Sequence, residues 1–260
     1  METVTDWFRA NKLSLNIDKT KYMIYSNKII DTVNKRVLLC NRSIERTNCM
    51  KFLGVHIDDK LKWDKHINNI LLKLTRSSYA IYKMKDIMTR VQLRMLYNAL
   101  VQPYLSYGII LWGATFRQHT HKLIIMQKRI VRRIYGARYD AHTSPIFRSL
   151  KFLKLDDLYK LEVAKHILKS FKMTMPKSLM DLYIPTYIIH NLHTRHRTRY
   201  RLSKPNTRIL LTSQSILYTG PDIWNALSSD TYLYKNTNTL VTHSLFSFRL
   251  KRKLLTSYTD

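Results

Sequence analysis

A change of hydrophobic period at Asp58 constrains the fold of this chain most strongly. Before Asp58, short apolar stretches alternate with turn residues, and after it apolar residues recur at helical spacing along most of the remaining chain. Short alternating stretches predict strands and hairpins, whereas a sustained helical period predicts amphipathic helices. The sequence therefore predicts an α+β fold, with a small antiparallel strand and hairpin piece followed by a mainly α-helical bundle.

The strand-rich piece has three predicted features ahead of the helices. Residues 21–25 predict a strand, residues 37–46 a hairpin, and residues 52–57 a strand with Gly54 inside it. Glycine weakens the interior of a strand, so its presence indicates a place where another backbone approaches closely. The adjacent acids Asp58 and Asp59 fit a turn or helix cap better than a metal site, because Asp is favoured in turns.

The remaining elements follow from the positions of apolar residues, caps and proline. Helices are predicted over residues 67–84, 89–100, 119–134, 156–173 and 245–255, and residues 215–224 predict a strand, a Gly-Pro turn and a helix start. The predicted divisions are a strand-rich piece over 1–62, a helical domain over 63–175, a basic linker or loop over 176–212, and a small C-terminal α/β extension over 213–260.

Net charge indicates the class of partner. The chain has 45 Lys and Arg against 17 Asp and Glu, a formal charge of +28. Because such an excess repels itself in a compact chain, a polyanion is the natural counterpart, with nucleic acid the first candidate and an anionic membrane the second. The longest apolar run, residues 100–113, is too short to span a membrane. No segment has the order of a signal peptide, so we expect an intracellular protein of the nucleus or cytoplasm.

Basic side chains on predicted helices and in the linker are the candidate nucleic-acid contacts. Two basic pairs fall on adjacent turns of one helix, and such a row can follow a phosphate backbone without reading bases. The alternative is a solvated helix face. The histidines of the linker lack acids or thiols around them, so no metal site is predicted. The candidate residues are Lys73, Arg76, Lys128, Arg129, Arg132, Arg133, Arg195, Arg197 and Arg199.

Several motifs in one order are similar to a known family. They are DWFRANKLSLN at 6–16 with DKTKYM at 18–23, KFLGVHID at 51–58, PYLSYG at 103–108, LWG at 111–113, QKR at 127–129 and YTGPDIWN at 218–225. Together they resemble the reverse transcriptases of non-LTR retrotransposons, particularly the jockey and CR1-like group. The resemblance assigns them to the end of the palm, the primer grip, the thumb and the C-terminal segment.

The resemblance implies roles for individual residues. Lys19 matches the lysine that approaches the nucleotide phosphates and protonates the leaving pyrophosphate, and Lys51, Phe52, Leu53 and Gly54 match the hairpin that holds the primer end. The helices after residue 65 would line the product duplex. RNA, an RNA–DNA hybrid or DNA are the implied partners, and a ribonucleoprotein is an implied assembly.

The catalytic aspartates of the family lie upstream of the segment that Trp7 matches, and these 260 residues contain no Ala-Asp-Asp box. We therefore expect a fragment of an RNA-directed DNA polymerase that is inactive alone and retains primer and template binding. Mg²⁺ is expected only for the full-length polymerase, and no cofactor is expected on this chain. Two alternatives are a stand-alone RNA-binding module without enzymatic activity and an element remnant without function.

Overall fold

The computed structural model describes residues 2–26, 37–39, 42–189, 201–228, 234–235, 239–240 and 242–258. Within them, short strand pairs precede a long series of helices, so the predicted α+β class is confirmed. The chain divides into two units, Met1–His66 and Ile67–Asp260. The predicted division at residues 62, 175 and 212 stays a prediction.

The described residues of the first unit form a helix, a 3₁₀ turn and three strand pairs. Strand β1 pairs with β4 in parallel, whereas the pairs β2–β3 and β5–β6 are antiparallel, including the hairpin predicted within residues 37–46. The parallel pair differs from the all-antiparallel expectation. The elements are α1 (Glu2–Ala10), the 3₁₀ turn (Ile17–Lys19), β1 (Lys21–Tyr22), β2 (Leu38–Leu39), β3 (Arg42–Ser43), β4 (Glu45–Arg46), β5 (Cys49–Phe52) and β6 (Val55–Asp58).

The strand predicted over residues 52–57 is wrong, because a two-residue turn interrupts it. Phe52 pairs with Val55 across the β5–β6 hairpin, and Leu53 and Gly54 form its tip with φ angles of 45° and 85°. Positive φ at both central residues is the signature of the hairpin turn whose twist matches the flanking strands, and it favours glycine. Leucine is unusual at the first of these positions, so Gly54 alone was too weak a signal to predict the turn.

The turn role predicted for Asp58 is confirmed. Its Oδ1 accepts hydrogen bonds from the backbone N–H groups of Lys60 (3.2 Å) and Lys62 (2.9 Å), and its Oδ2 accepts one from Trp63 (2.7 Å). These bonds enclose a loop in which Leu61 and Trp63 have positive φ angles. The carboxylate therefore offsets the backbone strain of the connection into the first long helix.

The helical elements follow along the chain, and none of the described helices is long and apolar enough to cross a membrane. They are α2 (Asp64–Met84), α3 (Arg90–Leu100), α4 (Gln102–Ser106), α5 (Ile109–Trp112), α6 (Arg117–Tyr135), α7 (Ser144–Leu150), α8 (Leu155–Phe171), α9 (Lys177–Met180), α10 (Thr186–Ile189), α11 (Leu210–Ser213), α12 (Ile216–Ser228) and α13 (His243–Thr256), with a short hairpin of β7 (Tyr234–Lys235) and β8 (Thr239–Leu240) before α13.

The core of the second unit surrounds α8. Its side chains are buried on nearly all faces, and it contacts α4, α5, α6, α12 and α13. A helix whose buried residues extend over most of its circumference belongs in the interior of a bundle. Trp224 of α12 is 2% exposed and stacks between Phe171 of α8 and Phe246 of α13, with ring centroids 5.4 and 6.0 Å away. These rings fix three helices to one another.

The strand predicted within residues 215–224 is wrong, because this segment is the helix α12. Its Pro221 lies inside the helix, where the missing N–H normally makes proline unfavourable. The helix packs closely against its neighbours at this point, since a Cβ on Gly220 would meet Tyr183 at 3.3 Å and Ile167 at 3.4 Å. The Thr219 hydroxyl also hydrogen-bonds to that of Tyr159 at 2.7 Å. Tertiary packing therefore overrides the Gly-Pro turn signal.

Candidate nucleic-acid interface

The predicted row of basic residues on α6 divides among three environments. Arg133 points inward: its Nη1 donates to the Ser78 carbonyl at 3.0 Å and to the Ser78 hydroxyl at 2.7 Å, and its guanidinium lies over the Tyr82 ring. Arg132 donates through Nε to the Ala141 carbonyl at 2.9 Å. Arg129 is exposed. The structure therefore does not align these side chains in one continuous row.

Lys128 and Arg132 line a cleft of about 420 Å³ beside the N-terminal ends of α7 and α8. Arg117 and Lys154 line it as well, and Asp140 and Asp156 also reach it. The Lys154 ammonium donates to the Ser144 hydroxyl at 2.9 Å. Because this cleft has acids as well as cations, part of its positive charge is balanced within the protein.

The outer face of α2 carries a more coherent surface, which we call the α2 stripe. It consists of Leu72, Arg76, Tyr79 and Lys83, which are all exposed and recur every three or four residues. The Lys83 ammonium lies 5.6 Å from the centre of the Tyr79 ring. The stripe therefore combines cations for phosphates with an exposed aromatic ring.

Two neighbouring lysines of α2 are also held over tyrosine rings. Lys73 lies 4.9 Å from the centre of the Tyr104 ring, and Lys85 lies 5.1 Å from that of Tyr82. Cation–π contacts of this kind limit the motion of a long side chain without removing its charge. Lys73 and Arg76, both predicted as contacts, thus lie on the same helix, and the Lys73 side chain is held in place over the Tyr104 ring.

Sequence reasoning missed Tyr79 and Lys83, although a signal for them was present. Positions 72, 76, 79 and 83 share one helical face, and counting from the buried residues Leu74 and Ile81 places that face outward. The residues predicted on α6, in contrast, are adjacent basic pairs. Adjacent residues on a helix lie about 100° apart around its axis and so cannot present one face.

Charge balance supports the same region. Between residues 67 and 138 the sequence has 13 Lys and Arg and a single acid, Asp86. The Asp86 carboxylate lies 3.9 Å from the ammonium of Lys85. Nearly all of the positive charge in this stretch is therefore without an acidic counterpart in the same stretch.

The tip of the β5–β6 hairpin exposes two apolar side chains. Phe52 is 59% exposed and Leu53 is 75% exposed, and Lys51 beside them is exposed as well. Exposed apolar side chains grouped at a turn indicate a contact surface. Lys19 lies at the end of the 3₁₀ turn with its side chain exposed, while its backbone N–H donates to Asn16 Oδ1 at 3.1 Å.

The remaining predicted contacts, Arg195, Arg197 and Arg199, lie outside the described residues. Within the described part of the chain, no group of three or more His, Cys, Asp or Glu side chains could hold a metal ion. Asp58 and Asp59 do not fit the Mg²⁺ that a polymerase needs, because the Asp58 carboxylate is occupied by three backbone N–H groups.

Three curated proteins are similar to this chain. An RNA-directed DNA polymerase from mobile element jockey of Drosophila melanogaster is 27% identical over 208 residues, which are 78% of this chain and 22% of that protein. The jockey polymerase of Drosophila funebris is 25% identical over 64% of this chain, and a probable polymerase from transposon X-element of Drosophila melanogaster is 24% identical over 62%. The homologues of this chain are RNA-directed DNA polymerases of mobile elements.

The similarity to these polymerases confirms the resemblance to non-LTR retrotransposon reverse transcriptases that the motifs indicate. The chain spans about a fifth of the length of the curated relatives it matches. No protein-family model matches it, and no solved structure matches it significantly.

Several motifs behind the resemblance to these polymerases are parts of the core. Trp112 is fully buried and donates through Nε1 to the Tyr107 carbonyl at 3.1 Å. Gln127 is 1% exposed, and Trp224 is 2% exposed. These residues therefore specify the helical scaffold, whereas the side chains of the stripe and of the hairpin tip are exposed.

Proposed function

We propose that this chain binds nucleic acid as the primer- and duplex-holding part of a non-LTR retrotransposon reverse transcriptase. The observation that carries the proposal is the charge of residues 67–138, with 13 cations and one acid, together with the exposed α2 stripe. Arg and Lys contacts to phosphates are independent of sequence, as a polymerase requires for its product. An RNA–DNA hybrid is the ligand we assign.

The α2 stripe contacts the phosphate backbone of the hybrid through Arg76 and Lys83. The exposed Tyr79 ring beside Lys83 keeps its ammonium near the surface of the helix, which lowers the conformational entropy lost on binding. Lys73, Lys128 and Arg129 contribute further positive charge to the second unit. Arg133 acts differently, because its guanidinium is used to fix α6 to α2.

The β5–β6 hairpin tip contacts the primer strand in this proposal. Phe52 and Leu53 present apolar surface to sugars or bases, and Lys51 lies beside them as a partner for phosphate. Gly54 supplies the positive φ of the turn that projects these two side chains. Lys19 as the proton donor of the complete enzyme remains part of the proposal.

We assign no polymerase activity to the 260-residue polypeptide assayed alone, because its sequence contains no Ala-Asp-Asp box. Binding and synthesis are then separable: the purified chain binds a primed template and incorporates no nucleotide when Mg²⁺ is supplied. Primer extension by the purified chain would overturn this half of the proposal and leave the binding half standing.

Charge reversal on the stripe tests the binding half. The double variant Arg76→Glu/Lys83→Glu should weaken binding of a short RNA–DNA hybrid by about tenfold or more, since two phosphate contacts become repulsive. Fluorescence anisotropy at fixed salt measures the affinity. The matched control is Lys177→Glu, an exposed lysine on α9. If the loss of affinity per unit of charge change were the same in the double variant and in the control, a role for the stripe would be contradicted.

A further inference from the structure

A second basic cleft lies between α7 and α13. It has a volume of about 430 Å³ and is lined by the cations Arg148, Lys151, Lys251 and Arg252, by the ring of Phe248, and by Leu255 at its apolar wall. No acid is among the described residues that line it. It differs in this respect from the cleft at Lys128 and Arg132, which Asp140 and Asp156 partly neutralise.

Packing of α13 fixes the geometry of this cleft. Phe246 and Leu250 are buried on the side of α13 that contacts α7 and α8. The opposite spacing places Phe248, Lys251 and Arg252 outward, and Phe248 is 65% exposed. The second wall is supplied by α7 and by Lys151, the residue that follows this helix with a φ of 57°. The cleft is therefore built by ordered helices and not by a loose tail.

Among the described residues, no acid lines this cleft to offset its positive charges. Partial burial, and then the positive charge of Arg94, lower the pKa of the Lys251 ammonium below its ordinary value. Cations that repel one another are the feature that a bound anion would relieve.

We infer that this cleft binds the backbone of single-stranded nucleic acid, with an unpaired base stacked on Phe248. The cations supply phosphate contacts, and an exposed ring flanked by cations is the arrangement that binds single strands without sequence preference. A paired base cannot use this ring, because both of its faces are covered by neighbours in the duplex. The site does not depend on the α2 stripe, and it gives the chain a place for unpaired template.

Separate binding measurements with a single strand and with an RNA–DNA hybrid test the inference. Phe248→Ala should lower the affinity for a labelled oligouridine about tenfold, the scale of one lost stacking contact. The same change should leave binding of an abasic oligonucleotide, which has phosphates and no bases, within about twofold of the parent chain, because only stacking is removed. Equal loss with both ligands, or loss with neither, would overturn the stacking role.

The cationic role is tested with Lys251→Met, which keeps an apolar stem and removes the charge. The affinity for both oligonucleotides should fall about tenfold, while the melting temperature stays level or rises, because a partly buried charge beside Arg94 has been removed. Lys253→Met is the control on the same helix, since Lys253 is exposed and lies outside the cleft. A fall in melting temperature would make Lys251 a structural residue and contradict the site.

Hybrid affinity distinguishes this inference from the proposed function. The cleft variants should leave hybrid binding within about twofold, and Arg76→Glu/Lys83→Glu should leave single-strand binding within about twofold, since each pair alters a different contact surface. If the cleft variants change neither hybrid binding nor single-strand binding, the inference about the cleft is overturned and the proposed function stands. If the cleft variants lose affinity for the hybrid and for the single strand to the same extent, the cleft is not a site separate from the α2 stripe.

Discussion

Buried polar side chains at the centre of the second unit join its helices through hydrogen bonds. Gln127 of α6 is the main example: its Nε2 donates to the Tyr97 hydroxyl and to the Leu153 carbonyl, each at 2.9 Å, and its Oε1 accepts from the Leu155 backbone N–H at 3.1 Å. One amide thus satisfies groups on α3, on the segment before α8 and on α8 itself. Burial raises the pKa of the Tyr97 hydroxyl, which stays a neutral partner.

Replacing Gln127 by Leu should lower the free energy of unfolding by about 2–4 kcal/mol, because buried partners lose their hydrogen bonds. Urea denaturation followed by circular dichroism measures the change. Gln118→Leu on the exposed face of the same helix is the control and should stay within about 0.5 kcal/mol. Similar values for the two variants would mean that the amide network contributes little.

The two adjacent acids at the end of β6, Asp58 and Asp59, should respond very differently to substitution. Asp58→Ala removes the acceptor of three backbone hydrogen bonds and should lower the free energy of unfolding by about 2–4 kcal/mol. Asp59→Ala should cost less than about 1 kcal/mol. The measurement is the same denaturation experiment, with hybrid affinity as a second readout. A larger cost at Asp59 than at Asp58 would contradict the assigned turn.

His166 should make the protein sensitive to mild acid. Burial, and then the nearby charge of Lys169, lower its pKa, so the native state binds a proton less readily than the unfolded chain does. Stability from this group is present above pH of about 6.5 and is lost as the pH falls through the lowered pKa. His166→Gln should flatten the pH dependence of the melting temperature between about pH 7 and 5. If the melting temperature of the variant depended on pH as steeply as that of the parent chain, the assigned role of His166 would be contradicted.

At the scale of elements, α5 and α8 approach closely at Gly113. A Cβ added there would lie 2.5 Å from Cδ2 of Tyr159 and 2.6 Å from the Ile109 carbonyl oxygen. Gly113→Ala should therefore lower the free energy of unfolding by about 1–3 kcal/mol, the usual cost of overpacking. Thermal melting measures it. A stabilised variant, as expected for a simple helix-propensity gain, would contradict the close approach.

Local signals predicted some elements well and others not at all. The helix predicted from residue 89 onward is α3, and the structure shows Thr89 as its cap, in a capping box with Gln92. That signal depends on four adjacent residues and needs no tertiary contact. The environment of Arg133 depends instead on Ser78, which lies 55 residues away along the chain. The cleft on α13 was missed for the same reason, because its second wall belongs to α7.

At the scale of the whole molecule, a formal charge of +28 is both a cost and a means of recognition. Like charges destabilise a compact chain, and a bound polyanion removes that repulsion while selecting the native state. The melting temperature should therefore rise when nucleic acid is added and should rise less in high salt. A melting temperature that does not change when nucleic acid is added at low salt would contradict this linkage.

The salt dependence of hybrid binding tests the central claim most directly. Affinity of the intact chain for a short RNA–DNA hybrid is measured by fluorescence anisotropy between about 50 and 200 mM salt. Binding through several phosphate contacts predicts a straight, steep fall of log affinity with log salt, and Arg76→Glu/Lys83→Glu should reduce the slope by about two. A slope near zero, or one that the double variant leaves unchanged, would contradict nucleic-acid binding through this surface.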